Sequence, residues 1–205
     1  MTKIILLRHG ETEWNRLGKY QGQSDIALSE KGCCQAQTLA AHFPVRTLQA
    51  AYASDLQRAM ETARVATSSF GCTVTAEPRL REVNFGDWEG LTYAQISAGW
   101  PEAMEKFFQL PDLLEIPHGE TFAEVQQRAM AALEEIAAAH EGATVLAAAH
   151  GAVNRTILAG VLHMPLRYIW SLRQDNTAVN ILRYEEGRWL LELMNSTAHL
   201  QQRGE

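Results

Sequence analysis

Residues 3–10, Lys-Ile-Ile-Leu-Leu-Arg-His-Gly, decide the fold of this chain. The unbroken apolar run predicts a strand that is buried on both faces, as in a parallel sheet. Arg8 and His9 follow where that strand ends, and Gly10 would allow a backbone to come close to a ligand. Because ligands of open α/β sheets bind outside the carboxyl ends of the strands, these residues indicate a functional site.

A second strand, late in the chain, finishes in the same way. Residues 144–149, Thr-Val-Leu-Ala-Ala-Ala, are followed by His150 and Gly151. A single Arg-His-Gly turn after a strand is more typical of an ordinary surface turn than of a catalytic site. Two histidines, each placed between an apolar strand and a glycine, favour one shared site, and therefore an enzyme.

Strands and helices alternate along the rest of the chain. Ser29 is a suitable N-cap for a helix that runs to about His42, and Asp55 is expected to cap the next, which runs to Phe70. The other predicted elements are helices from Thr121 to about His140 and from near Gly151, and strands at 48–53, 73–76, 178–184 and 189–194, the last two joined by a turn at 186–187. This order predicts an α/β fold of three layers, α/β/α, with a mostly parallel central sheet and a late hairpin.

Residues 92–128 read as a helical excursion from this alternation, within a single domain that spans residues 1–205. Thr92 can cap one helix there, and Pro101 can begin another. The excursion is expected to cap the site. Its aromatic residues, such as Trp100 and Phe107, suit either an organic substrate group or simple packing against the core, and the sequence does not separate these roles.

Composition sets limits on the class of protein. The 205 residues carry a net charge of −6, which argues against a protein that binds the phosphate backbone of nucleic acid. There is no leader and no apolar run of the ~20 residues that cross a membrane, so we expect a cytoplasmic protein. Cys33, Cys34 and Cys72 are odd in number and lack metal-ligand spacing, which predicts buried free thiols in a reducing compartment.

Two further charged motifs stand between the two histidines. Residues 54–63 read Ser-Asp-Leu-Gln-Arg-Ala-Met-Glu-Thr-Ala, and residues 80–90 read Leu-Arg-Glu-Val-Asn-Phe-Gly-Asp-Trp-Glu-Gly. Together with Arg-His-Gly-Glu-Thr-x-Trp-Asn at 8–15 and the late His-Gly, they resemble the histidine phosphatase superfamily, also called phosphoglycerate mutase-like. The motifs occur in family order, span most of the chain and are jointly very specific.

The resemblance implies a role for each charged group. His9 would be the nucleophile and form a phosphohistidine, which suits a neutral imidazole. Arg8 and Arg58 would clamp the phosphate oxygens, since guanidinium is planar and permanently charged. His150 would donate a hydrogen bond to the transferring group. No metal constellation and no cofactor motif is present, so neither a metal ion nor a cofactor is expected.

The remaining site residues complete the expected chemistry. Glu82 is the expected general acid, and then the general base; as an acid it must carry a proton, which burial or the anionic substrate beside it would favour. Asn15 and Gln21 match polar positions of the phosphate pocket, and the Gly151 amide opens a helix that could donate to the anion. The expected partner is a small phosphomonoester.

The branch of the family is read from the residues that follow Glu82. The stretch Val-Asn-Phe-Gly-Asp-Trp-Glu-Gly-Leu at 83–91 resembles broad-specificity and α-ribazole phosphatases rather than phosphoglycerate mutases. The sequence thus predicts metal-independent hydrolysis of a small organic phosphate, with α-ribazole 5′-phosphate as one candidate. Two alternatives stay open: a cofactor-dependent phosphoglycerate mutase and a non-catalytic scaffold that binds phosphoesters.

Overall fold

The computed structural model describes residues 1–201 and contains one six-stranded sheet of order β3-β2-β4-β1-β5-β6. The strands are β1 (Thr2–Arg8), β2 (Ala50–Ala53), β3 (Val74–Ala76), β4 (Thr144–Ala149), β5 (Val179–Glu185) and β6 (Arg188–Ser196). β3, β2, β4 and β1 are parallel, whereas β5 pairs with β1 and with β6 in antiparallel fashion. The expected mostly parallel sheet is therefore confirmed.

Eight α-helices connect or flank these strands within residues 1–201. They are α1 (Glu13–Arg16), α2 (Glu30–Ala41), α3 (Gln57–Ala66), α4 (Tyr93–Gly99), α5 (Pro101–Gln109), α6 (Phe122–Ala139), α7 (Gly151–Val161) and α8 (Ala198–Gln201). Short 3₁₀ turns lie at Ser68–Phe70, Pro78–Leu80, Gly86–Trp88, Pro111–Leu113 and Leu166–Ser171. None of these helices is long and apolar enough to cross a membrane.

The sheet divides the core into two layers, because strand side chains alternate between its faces. Ile4 and Leu6 of β1 pack with apolar side chains of α6 and α7, whereas Ile5 and Leu7 pack with those of α2 and α3. All four side chains are fully buried. The predicted three-layer α/β/α architecture is confirmed by this arrangement.

Most predicted helix starts agree with the structure. The Ser29 side chain accepts the amide of Gly32, and Thr92 and Thr121 form capping boxes at the starts of α4 and α6. The late hairpin also forms where it was expected. Its two turn residues, Glu186 and Gly187, have φ values of 49° and 77°, as a type I′ turn requires.

Three predictions are wrong in detail. The helix expected over 55–70 is shorter, because α3 begins at Gln57 and the chain tightens into a 3₁₀ turn after Ala66. Asp55 does not cap it; the Gln57 amide donates instead to Asp25, from a preceding loop. Cys33 and Cys34 are exposed rather than buried, since they lie on the outer face of α2, and Cys72 is half-buried.

The expected excursion contains α4, α5 and the start of α6. Phe107 of α5 is 3% exposed and packs at 4.5 Å, between ring centroids, from Trp170. Its neighbour Phe108 is 49% exposed and lines the cavity described below. Phe107, although packed against the core, lines the same cavity, so the structure does not separate the two roles that the sequence left open. The last residues of the expected domain, 202–205, lie outside the described part of the chain.

Candidate active site

The carboxyl ends of three parallel strands meet at one edge of the sheet. The His9 amide donates to the Ala149 carbonyl of β4 at 3.0 Å, and the Ser54 amide donates to Ala148 of the same strand at 2.9 Å. This register places the residues that follow β1, β2 and β4 side by side. The imidazole rings of His9 and His150, 141 positions apart in the chain, have centroids separated by 5.1 Å.

One hydrogen bond fixes the tautomer of His9. Its Nδ1 lies 2.6 Å from the carbonyl oxygen of Gly10, which can only accept, so Nδ1 carries the proton. In the neutral ring Nε2 then holds a free lone pair. This is the form of imidazole that can attack phosphorus.

A second hydrogen bond fixes His150 in the opposite tautomer. The Arg58 Nε–H group donates to Nδ1 of His150 at 3.1 Å, so the ring proton sits on Nε2. That Nε2 atom is buried and has no partner among the described residues. One histidine therefore offers a lone pair and the other an N–H group.

Both rings are held in the neutral state. Burial keeps the pKa values of both His9 and His150 well below the usual range of histidine. The positive charge of Arg58 is the second largest cause for each ring. His9 is 2% exposed and His150 is 0% exposed. At neutral pH, His9 therefore keeps the free lone pair on its Nε2 atom, and His150 keeps a neutral ring with an N–H group at Nε2.

Two guanidinium groups stand beside the histidines. Arg58 is fully buried and donates to the backbone carbonyls of Ser24 at 2.8 Å and Gly22 at 2.7 Å. Arg8 donates to the Gln174 carbonyl, and its Nε atom is buried without a partner among residues 1–201. Burial lowers the pKa of each group to about 10, so both stay charged at neutral pH.

Glu82 is held by the backbone at the start of α7. Its carboxylate accepts hydrogen bonds from the backbone amides of Ala152 at 3.0 Å and Val153 at 2.9 Å. It also accepts one from the amide of the next residue, Val83. The side chain is 8% exposed and lines the cavity. The N-terminus of α7 thus positions the expected acid and base. The Gly151 amide, expected to bind the anion, opens that same helix.

Asn15 and Gln21 are oriented by the hydroxyl group of Thr12. The Thr12 Oγ atom lies 3.1 Å from Oδ1 of Asn15 and 2.9 Å from Oε1 of Gln21. Since both amide oxygens face Thr12, both NH₂ groups are left to donate elsewhere, and both residues line the cavity. Thr12 is also the N-cap of α1.

Gly10 allows a close contact that the sequence did not predict. A Cβ atom at Gly10 would lie 2.7 Å from the backbone oxygen of Gly32, at the start of α2. The missing side chain therefore lets α2 approach the loop that carries His9, while the expected approach to a ligand stays a prediction. The Gly10 amide donates to the Thr62 hydroxyl at 3.0 Å, which ties the loop to α3.

Three residues near the site were missed by sequence reasoning. Asn176 donates to the His9 carbonyl at 3.1 Å, and Arg128 donates to the Glu82 carbonyl at 3.0 Å. Arg155 lines the cavity one helical turn beyond Gly151. Only Arg155 had a usable signal, because residues four apart share a helix face. Asn176 and Arg128 reach the site through loop and helix packing that carries no local motif.

Two other charged residues are placed away from the chemistry. Asp55 pairs with Arg81 through both carboxylate oxygens, which explains why it is not a helix cap. His118 is exposed, with φ of 55°, and its Nδ1 lies 3.0 Å from Asp87.

A cavity of about 300 Å³ is lined by all the predicted site residues except His150, which lies buried behind it against Arg58 and His9. Its titratable lining is mostly basic, with Arg8, Lys19, Arg58 and Arg155 against the single carboxylate of Glu82. The local charge is thus opposite in sign to the net charge of −6. Among residues 1–201 no cluster of three His, Cys, Asp or Glu side chains has the arrangement to hold a metal ion.

Known proteins are similar to this chain over almost its whole length. The family model of the histidine phosphatase superfamily (branch 1) matches residues 4–197. Phosphoserine phosphatase 1 of Hydrogenobacter thermophilus is 34% identical over 200 residues, which cover 98% of this chain and 95% of the relative. The metal-independent phosphoserine phosphatase of Arabidopsis thaliana is 34% identical over 207 residues, which cover 100% of this chain and 85% of the relative. A Yersinia pestis protein, "Probable phosphoglycerate mutase GpmB", is 31% identical over 205 residues, covering 98% and 95%.

Solved structures give the same result. Bacillus stearothermophilus YhfR has a TM-score of 0.94 at 37% identity, covering 98% of this chain and 100% of the other. A mutant phosphoserine phosphatase of Entamoeba histolytica, in complex with phosphoserine, has a TM-score of 0.89 at 31% identity, covering 98% and 100%. An Escherichia coli K-12 structure described as a "putative alpha-ribazole-5'-P phosphatase" has a TM-score of 0.84 at 27% identity, covering 95% and 96%.

Proposed function

The chain belongs to the histidine phosphatase superfamily, and on that premise we propose that it hydrolyses a small organic phosphomonoester, without a metal ion, through a covalent intermediate on His9. Membership of the family and the class of phosphoric monoester hydrolase, both predicted from the motifs, are confirmed by the similarities. The observation that carries the mechanism is the pair of opposite tautomers on His9 and His150.

In the first step the Nε2 lone pair of His9 attacks phosphorus, and the bond from phosphorus to the ester oxygen breaks. Glu82 acts as the general acid and gives a proton to the leaving oxygen. The Nε2–H group of His150 and the guanidinium groups of Arg8 and Arg58 donate to the oxygens of the transferring group. These donors are fixed before the substrate arrives, so they need little reorganisation.

In the second step a water molecule attacks phosphorus and the phosphorus–nitrogen bond breaks. Glu82, now a carboxylate, takes a proton from that water, and inorganic phosphate leaves. His9 returns to its neutral form, held by the Gly10 carbonyl. The NH₂ groups of Asn15 and Gln21 complete the set of donors around the phosphate. Positive charge comes from side chains throughout, which is why the proposal includes no metal ion.

The relatives indicate a class of substrate rather than one compound. Phosphoserine phosphatases and the alpha-ribazole phosphatase structure both make small organic phosphates the appropriate class. Phosphoserine and α-ribazole 5′-phosphate are accordingly the first two candidates. Absence of nucleic-acid binding and a location in the cytoplasm remain predictions from the sequence.

The proposal is tested by trapping the intermediate. Mixing the protein with a ³²P-labelled monoester and quenching rapidly should leave label that survives alkali but is lost in acid, as expected of phosphohistidine. His9→Ala should carry no label, while His118→Ala, a change at an exposed histidine, should carry the normal amount. Label on a serine, cysteine or aspartate would contradict the mechanism.

Product analysis separates the two rival functions. A phosphatase should release one inorganic phosphate per substrate consumed and should convert 3-phosphoglycerate to 2-phosphoglycerate poorly, even with 2,3-bisphosphoglycerate present. Rapid interconversion with little release would identify a mutase. Binding of phosphoesters with no turnover of any of them would identify a silent scaffold.

A further inference from the structure

The cavity contains one guanidinium group that the proposed chemistry does not use. Arg155 lines the cavity with Arg8 and Arg58. The carboxylates whose charge acts on Arg155 are those of Glu82 and Asp175. Both form hydrogen bonds elsewhere: Glu82 with backbone amides, and Asp175 with Arg173 and Asn195. Arg155 therefore brings a positive charge that forms no ion pair with a carboxylate among residues 1–201.

The position of this group is fixed by its surroundings. Its Nε donates to the Leu172 carbonyl at 2.7 Å and its Nη1 to the Gly151 carbonyl at 2.9 Å. The guanidinium carbon lies 5.4 Å from the ring centroid of Trp170, a cation–π distance. These contacts use two of the five N–H donors of arginine, and the other three, one on Nη1 and two on Nη2, have no partner among residues 1–201, so one N–H of each nitrogen is left to bind a ligand. A side chain held in this way loses little freedom on binding.

Arg155 lies beside Arg8 on one side and Trp170 on the other. A Cβ atom built on Gly151 would be 3.3 Å from both the Nη1 atom of Arg155 and the Nε atom of Arg8, so the two groups flank the same point. Trp170 in turn packs against Phe107 at 4.5 Å and lies 6.2 Å from the exposed Phe108. Arg155, Trp170 and Phe108 line the same cavity as Arg8 and Arg58, so the leaving group of a phosphate bound by those two arginines would share the cavity with Arg155.

We propose that Arg155 binds a carboxylate carried by the leaving group, so that the enzyme selects phosphomonoesters of small hydroxy acids. The inference rests on the proposed phosphatase function and adds the substrate class. A guanidinium pairs with a carboxylate through two parallel hydrogen bonds, which gives both charge and direction. α-Ribazole 5′-phosphate has no carboxylate and would be a poor substrate on this basis.

Matched substrates test the inference on the unmodified protein. 3-Phosphoglycerate and glycerol 3-phosphate differ in the carboxylate, as do O-phosphoserine and O-phosphoethanolamine. We expect kcat/KM to be about 10- to 100-fold higher for the acid of each pair, the range for a charged hydrogen bond. Equal values within both pairs would overturn the role of Arg155 and leave the phosphatase intact. Failure to hydrolyse any monoester would instead contradict the proposed function.

A substitution assigns the selectivity to one side chain. Arg155→Met should lose most of the preference, through a higher KM for the acids, while glycerol 3-phosphate stays within about threefold. Arg155→Lys should keep part of it, because the charge remains but the planar fork is lost. Arg64→Met, the same change at an exposed arginine of α3, should alter neither. An equal loss on both members of a pair would show that Arg155 acts on the phosphoryl group or on folding, and the inference would fail. Should Arg155→Met not fold, the wild-type comparison still decides.

Discussion

At the scale of single residues, the proposed catalysis depends on which nitrogen of each histidine carries the proton. A carbonyl faces Nδ1 of His9 and a guanidinium N–H faces Nδ1 of His150, so two otherwise identical rings adopt opposite tautomers. The motif residues His9, His150, Arg8, Arg58 and Glu82 could be predicted from the sequence because each belongs to a distinctive local pattern. Their catalytic roles stay predictions. The tautomers could not be predicted, since they depend on contacts between residues such as Arg58 and His150 that are distant in the chain.

Glu82 gives the sharpest test at this scale. Glu82→Gln should lower hydrolysis of alkyl phosphates by about 10²- to 10⁴-fold, because a poor leaving group needs a proton. Hydrolysis of p-nitrophenyl phosphate should fall much less in single-turnover phosphorylation, since p-nitrophenolate leaves without one. Rates of the first step on both esters are the measurement.

The same substitution also disturbs the start of α7, and the comparison of the two esters controls for this structural effect. A glutamine NH₂ group would face one of the amides of Ala152 and Val153 that the carboxylate now accepts. Such a structural effect would slow both esters alike. Equal losses would thus remove Glu82 from the role of acid, whatever its importance for folding.

At the scale of elements, the site exists because parallel strands end at one edge. The pattern of apolar runs made β1 and β4 predictable, and the capping residues Ser29, Thr92 and Thr121 predicted three helix starts. Asp55 misled the prediction because a side chain that suits a cap also suits an ion pair, here with Arg81. The exposed positions of Cys33 and Cys34 show the same limit: residue type alone does not tell which helix face is buried.

The contact between Gly10 and Gly32 leads to a prediction about an element. Gly10→Ala would place a methyl group 2.7 Å from a backbone oxygen of α2, where nothing flexible can yield. We expect the free energy of unfolding to fall by about 1–3 kcal/mol, the usual cost of overpacking. Chemical denaturation measures this directly.

Gly99→Ala is the matched control for that change. Gly99 ends α4 and a Cβ atom there would meet nothing within 4 Å. Its substitution should leave stability unchanged or raise it by up to about 1 kcal/mol, because alanine favours helix. Similar losses for both variants would mean that the close approach of α2 to the loop that carries His9 is not required.

At the scale of the whole molecule, an acidic protein surrounds a basic cavity. The net charge of −6 argued against nucleic-acid binding but contained no information about Arg155, whose position beside Trp170 depends on the packing of α7 against the 3₁₀ turn at Leu166–Ser171. The fold class and family could be predicted from motif order. The part of the cavity lining formed by Arg155, Trp170 and Phe108 could not be predicted, because these residues come from segments with no shared sequence signal.

Burial of neutral histidines makes the stability of the whole molecule depend on pH. The folded-state pKa values of His9, His150 and His199 all lie below the usual 6.5, with burial as the largest cause. Below pH 6.5 the unfolded chain takes up protons that the folded protein does not, so the free energy of unfolding falls as pH falls. Each such histidine contributes up to about 1.4 kcal/mol per pH unit until its folded pKa is reached. Above pH 6.5 these groups contribute no pH dependence.

Urea denaturation between pH 7.5 and 5.5 measures this slope. His150→Gln keeps an oxygen that can accept the Arg58 Nε–H group but cannot be protonated, so the slope below pH 6.5 should be smaller by up to about 1.4 kcal/mol per pH unit. An unchanged slope in His150→Gln would mean that folding does not lower the pKa of this ring. In that case burial would not be the reason that His150 is neutral, and the electrostatic part of the argument for its tautomer would have to be abandoned.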